Sequence, residues 1–168
     1  MSKAALLRGA ASSGRIGLVN DDDANPAGAS AAYDTSPYLK RIDKPWGWEL
    51  HWTPEGLPYL GKLLHIKQGA RLSLQAHEAK SETWLLIAGR ARAVWQDASG
   101  DLVETDLEEG RGYTIGVGQK HRLIGVTDCE IVEVSTPEAG TTWRFEDDYA
   151  RPHETPEQRA LERDGPAP

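Results

Sequence analysis

A glutamine, a histidine and a carboxylate fall within eight residues of one another at Gln75, His77 and Glu82. If Arg71 to His77 is a strand, its side chains alternate across the sheet. Gln75 and His77 then share one face, while Leu72, Leu74 and Ala76 occupy the other. Glu82 stands at the mouth of the next strand, after the short connection Glu78 to Ser81, and the following turn closes at Gly89. An amide oxygen, an imidazole and a carboxylate arranged this way can converge on one cation from a single hairpin. A fourth ligand must come from elsewhere. His121 is the strongest candidate, because it opens a strand directly after the turn Gly116-Val117-Gly118-Gln119, in phase with the inward Leu123.

Short segments rich in β-branched, Leu and Trp residues must position this constellation. They are separated by Gly, Asp and Pro at intervals of roughly 8–12 residues. The expected strands are Trp46 to Thr53, Leu60 to Lys67, Arg71 to His77, Thr83 to Ala88, Arg90 to Gln96, Leu102 to Asp106, Tyr113 to Val117, His121 to Val126, Cys129 to Thr136 and Thr142 to Phe145. Turn signals such as Ala98-Ser99-Gly100-Asp101 favour antiparallel hairpins over crossover helices. The 17 Gly and 10 Pro in 168 residues argue against a helical bundle. Three stretches follow: an arm at 1–40, rich in Ala, Ser and Gly; a β domain at 41–151; and a solvated tail at 152–168 with at most a weak turn or two of helix. A short helix at Ala4 to Arg8 and the acidic run Asp21 to Asp23 fall in the arm.

Composition removes several function classes. A formal charge of −7 gives no positive field for phosphate backbones or anionic lipid, so nucleic acid is not an expected partner. A single Cys, Cys129, excludes a disulfide framework and any multi-thiolate zinc knuckle, and is expected to be buried and unreactive. The longest apolar run, Trp84 to Ala88, is five residues, too short to span a bilayer. Lys3 and Arg8 flank only four apolar residues, which is no secretory signal. A cytoplasmic, reducing location is the expectation.

The glycine spacing sharpens the metal reading. Gly69, Gln75, His77, Glu82 and Gly89 resemble the first motif of the cupin superfamily, with Gln where the commonest version has a His. Gly110, Gly116, Gly118 and His121 resemble the second motif, with Gly116 where Pro is usual. Within that superfamily the chain resembles the cupin domain of type II mannose-6-phosphate isomerases. The matching stretches are Lys44-Pro45-Trp46-Gly47, Ser73-Leu74-Gln75-Ala76-His77, Ser81-Glu82-Thr83-Trp84, His121-Arg122-Leu123 and Arg144-Phe145-Glu146-Asp147-Asp148-Tyr149-Ala150-Arg151. The resemblance implies an all-β double-stranded β-helix, or jelly roll, holding one divalent metal at Gln75, His77, Glu82 and His121. Zinc is the first choice, with Fe2+, Mn2+ or Ni2+ as alternatives. It also implies interconversion of aldose and ketose sugar phosphates through an enediolate stabilised by the metal. Lys62 and Lys80 fall where the family has basic residues, and with Arg122 and Arg144 they could hold a phosphate or a sugar oxyanion. A homodimer is expected on the same ground.

The chain departs from the family around the metal. Glu78 and Ala79 stand where further His residues are usual, Thr83 stands where another His is common, and Gly125 replaces an Asn. Glu78 is therefore either a loop acid or a replaced general base, and Lys80 a second catalytic candidate. Lys62 and Lys80 read equally well as lysines that keep a sheet edge soluble. Trp84, in phase with Glu82, is expected to line the cavity, whereas Trp46, Trp48, Trp52, Trp95 and Trp143 suit packing. His51, His65 and His153 read as hydrogen-bonded residues without a ligand role. Three other functions fit the same residues. His77, Glu82 and His121 form the two-His-one-carboxylate set of non-haem iron oxygenases. A zinc cupin could catalyse another rearrangement, and a binding cupin could hold a small polar ligand without turnover.

Overall fold

The computed structural model describes residues 36 to 164. Most of the expected arm, including Ala4 to Arg8 and Asp21 to Asp23, lies outside the described residues. The elements in order are β1 (Lys40–Lys44), β2 (Gly47–His51), β3 (Leu60–Ile66), β4 (Leu74–His77), β5 (Glu82–Ala88), β6 (Ala91–Gln96), β7 (Leu102–Asp106), β8 (Gly112–Ile115), β9 (His121–Gly125), β10 (Cys129–Ser135), β11 (Thr142–Glu146) and α1 (Pro156–Asp164). The strands form two antiparallel sheets, one ordered β1-β2-β3-β10-β5-β8 and the other β11-β4-β9-β6-β7. This is the jelly roll that the resemblance implies. No described helix is long and apolar enough to cross a membrane.

Alternation builds the interior. On β10, Cys129, Ile131, Glu133 and Ser135 turn inward; on β5, Glu82, Trp84 and Leu86 do so. Leu64, Ile66, Trp84, Leu86, Leu123 and Ile131 pack together with at most 2% of their surface exposed. Each such side chain contributes about 1.5–3 kcal/mol by leaving water. Cys129 is buried among them, and burial pushes its thiol up to about 11.

The structure differs from the sequence expectation in three elements. β1 is an additional strand. Its sequence is KRIDK with only Ile42 buried, so it is an edge strand that carries no apolar alternation. β4 and β5 do not form a hairpin. They lie in opposite sheets, and Glu78 to Ser81 crosses between them, so His77 and Glu82 approach face to face across the barrel. The tail is not merely solvated. Glu154 bridges Thr142 by two backbone hydrogen bonds of 2.9 and 3.0 Å, and α1 follows. Its start is encoded locally: the Thr155 hydroxyl accepts from the Gln158 N–H at 3.2 Å, Pro156 occupies the first turn, and Glu157 adds an acid there.

Two glycines of the first and second motifs have the same left-handed backbone but different surroundings. Gly89 (φ 79°) ends β5, and a Cβ there would stand 2.2 Å from the Asp128 carbonyl oxygen. Gly110 (φ 75°) has nothing within 4 Å of such a Cβ. Gly110→Ala should therefore cost about 1–2 kcal/mol, the backbone term alone, whereas Gly89→Ala should cost roughly 3 kcal/mol or more because the β5–β6 turn must also shift. Equal losses in urea unfolding would contradict this packing.

Candidate metal centre and adjoining cavity

The two sheets bring three buried donors together. His77 ends β4 and His121 opens β9, both in the five-stranded sheet, where Gln75 pairs with His121 and His77 with Thr142. Glu82 opens β5 in the facing sheet. Glu82 Oε2 lies 3.3 Å from His77 Nε2, and Glu82 Oε1 lies 3.3 Å from His121 Nε2. One ligand atom from each of the three residues falls within 4.8 Å of the others. These approaches are misaligned for hydrogen bonding, so His77 Nε2 and His121 Nε2 are buried with no hydrogen-bond partner, while Glu82 Oε2 also lies against Lys80 Nζ. Buried polar atoms ordinarily have a partner, and two bare imidazole nitrogens facing one carboxylate fit a cation.

The outer contacts prepare the donors. His121 Nδ1 donates to the Gln119 carbonyl at 2.8 Å, since a carbonyl can only accept, and this leaves Nε2 with a free lone pair in the neutral ring. His77 Nδ1 lies 3.0 Å from Thr142 Oγ1. Burial holds His77 below the usual histidine range, against the opposing pull of Glu82, which keeps the imidazole neutral. Burial alone would raise the Glu82 carboxyl, but Lys80 and the two imidazoles outweigh it and hold it well below the usual carboxylate range. Gln75 is half-buried, and its Oε1 accepts from Ser73 Oγ at 2.8 Å. A second lone pair on that oxygen is what it has to offer a cation.

Beside the triad is a cavity of about 60 Å³, lined on its inner side by Gln75, His77 and Lys80 and further out by Lys44, Arg144 and Arg151. His77 lines it, while Glu82 and His121 touch His77 without lining the cavity.

The remaining residues singled out from sequence divide. Lys80 and Lys62 are buried in this region but already paired. Lys80 Nζ lies 2.7 Å from Glu133 and 2.5 Å from Glu82, and Lys62 Nζ lies 2.5 Å from Glu138 and 3.6 Å from Glu49. Both line the cavity and act as counter-ions in a low-dielectric interior, so neither is the exposed lysine that keeps a sheet edge soluble. Lys80 is held above its ordinary value despite burial, because Glu133 and Glu82 attract the cation, so it stays charged and cannot serve as a base. Glu78 is exposed, accepts from the Thr141 N–H at 2.8 Å and is not among the residues that line the cavity. Trp84 packs in the core edge-on to His121, ring centroids 5.4 Å apart, rather than lining the cavity. Arg122 lies on the face of β9 opposite His121, paired with Glu146 at 3.1 Å, so it does not reach the cavity. Arg144 does line it.

Sequence reasoning missed Glu133, Glu49 and Glu138 in the cavity wall. The signal was available for the first: Glu133 is in phase with Ile131 on β10, a charge on the core face of an apolar strand.

The fold and site define a cupin. The family described as mannose-6-phosphate isomerase C-terminal matches residues 34–153, and the chain belongs to that family. The xanthan biosynthesis protein XanB of Xanthomonas campestris pv. campestris strain B100 is 31% identical over 127 residues, which is 73% of this chain and 26% of that protein. The mannose-1-phosphate guanylyltransferase ManC of Salmonella typhimurium is 31% identical over 117 residues, 67% of this chain and 23% of that one. The chain thus spans about a quarter of the length of these relatives. An oxalate decarboxylase of Lactobacillus farciminis superposes with a TM-score of 0.59 at 22% identity, covering 81% of this chain and 43% of that one, a likeness of fold.

The ion cluster predicts a specific stability pattern. Lys80→Met leaves Glu82 and Glu133 buried without their cation and should cost about 3–5 kcal/mol in urea unfolding, whereas Lys80→Met combined with Glu133→Gln should recover part of that loss. A single variant as stable as the wild type would contradict the counter-ion role.

Proposed function

We propose that this chain is a metal-dependent cupin enzyme that interconverts aldose and ketose forms of a sugar phosphate. The observation that carries the reading is the pair of buried imidazole nitrogens, His77 Nε2 and His121 Nε2, that lack hydrogen-bond partners and face the Glu82 carboxylate. His77, Glu82 and His121, with the free lone pair of Gln75, would hold one divalent ion, for which nitrogen and oxygen donors suit zinc. Such an ion supplies a Lewis acid for a substrate carbonyl. The family membership and the relatives' names support a sugar-phosphate substrate.

The chain's own residues have distinct parts in this proposal. Arg144 and Arg151 face the cavity and would orient the anionic end of the substrate. Glu133 would act as the base, because it faces the cavity beside Lys80, which in turn contacts Glu82. Lys80 stays cationic and offsets negative charge that develops nearby. The outer face of the six-stranded sheet, where Leu50, Leu63, Val132 and Leu85 stand side by side, would form a homodimer contact.

A second reading has its own support. Gln75 Oε1 is already engaged by Ser73, which leaves two imidazoles and one carboxylate, the donor set of non-haem iron oxygenases.

Elemental analysis of protein purified without added metal separates the two readings. Zinc is expected, and His77→Ala should lower metal affinity by about tenfold or more. With zinc present, mannose 6-phosphate in deuterated water should exchange its C2 proton, and Glu133→Gln should abolish the exchange while keeping the metal. Iron accompanied by oxygen uptake would overturn the isomerase. Separately, Leu63→Arg should sediment as a monomer; a variant that matches a dimeric wild type would remove the proposed contact.

A further inference from the structure

The family match ends at residue 153, and the segment beyond it reaches back into the cavity. α1 is nine residues long, too short to persist alone in water. Its attachment is unusual for a packed helix. Ala160 and Leu161 are exposed, Leu161 at 70%, and among the side chains described in α1 the buried one is Arg159. Arg159 donates to the backbone oxygens of Glu138 and Gly140 at 2.9 and 3.1 Å and to Glu154 at 2.9 Å. Glu162 lies 3.2 Å from Lys44 Nζ and 3.8 Å from Arg144 Nη1. The helix is therefore held by ions and hydrogen bonds rather than by apolar burial.

Arg144 is the focus of these contacts. Its side chain is 4% exposed, its Nη2 lies 2.6 Å from Glu154, and its Nη1 donates to the Pro152 carbonyl at 2.6 Å. Among the described residues, the carboxylates that pair with it, Glu154 and Glu162, both come from beyond residue 153. Its Nε is buried with no hydrogen-bond partner, and the side chain lines the cavity. A guanidinium so placed has a donor to spare for an oxyanion. The cavity of about 60 Å³ is far below the roughly 300 Å³ at which small-molecule sites begin. A sugar-sized ligand cannot share it with the tail as it lies.

We propose that Lys44 and Arg144 form an oxyanion subsite whose resident occupants are the carboxylates of Glu154 and Glu162, and that a tetrahedral dianion such as a phosphate monoester takes their place as α1 lifts from the cavity mouth. Two monoanions leave and one dianion enters, while Glu49, 3.5 Å from Lys44 Nζ, stays in place; the charge facing Lys44 and Arg144 is conserved and the exchange avoids leaving buried cations bare. The inference rests on the reading of this cavity as a sugar-phosphate site. It adds that substrate binding and helix release are one event.

Hydrogen exchange on the full chain tests this, with inorganic phosphate compared against sodium chloride at equal ionic strength. With phosphate, amides of α1 should exchange about threefold faster or more while β5 and β10 are unchanged. Glu162→Gln should tighten phosphate binding by about fivefold, because one competing carboxylate is gone. Phosphate that binds while α1 exchange stays constant or slows would overturn the proposal. So would the absence of phosphate binding by both wild type and E162Q. Metal content and C2-proton exchange are read independently. A chain that passes those tests with a static α1 loses only the latch, and one whose helix is released by phosphate without proton exchange loses only the isomerase.

Discussion

The interior depends on a charged Glu82 carboxylate held between two imidazoles and a lysine, all with at most 5% of their surface exposed. A carboxylate in that position is costly unless it is compensated, and the compensation ties distant parts of the chain together. Lys80 links Glu82 on β5 to Glu133 on β10, and His77 and His121 bring β4 and β9 from the facing sheet. The two sheets are thus joined across the barrel by polar contacts as well as by the apolar core. That arrangement leaves donor atoms without protein partners, and a centre of this kind is what a cation would complete.

Around it the charges alternate. Lys62 and Lys80 are matched by Glu49, Glu133 and Glu138, and Arg144 by Glu154 and Glu162. The first group lies on strands, on the crossing from β4 to β5 and on the loop before β11, and is built into the barrel. The second group is supplied by a segment with no buried apolar side chain among its described residues. The division matters for function: the fixed ions set the electrostatics beside the metal candidate, while the exchangeable ones occupy the groups best placed to receive an anionic ligand. Burial lowers the Arg144 pKa, against the attraction of Glu154, which shows how much that guanidinium needs a counter-ion.

Much of this was legible in the residues. Period-two alternation located ten of the strands, and the spacing Gln75, His77, Glu82 and His121 named the metal candidates, because short strands and glycine turns leave few other ways to place them. What was not legible has physical causes. β1 is held by backbone pairing at a sheet edge, so KRIDK carries no apolar pattern to read. The crossing of Glu78 to Ser81 between sheets is a tertiary choice that looks like a hairpin in sequence. α1 docks through Arg159 and Glu162 rather than through an apolar stripe, and so resembled a solvated tail. The roles of Lys62 and Lys80 could not be assigned until Glu49, Glu133 and Glu138 were seen beside them.

X-ray absorption at the metal edge of the protein as purified tests the central claim most directly. The account predicts a zinc edge with a first shell of nitrogen and oxygen only, at about 2.0–2.1 Å, and the multiple scattering of two imidazoles; in His121→Ala that scattering should fall to the level of one ring. A shell containing sulfur, or a spectrum without imidazole scattering, would contradict it.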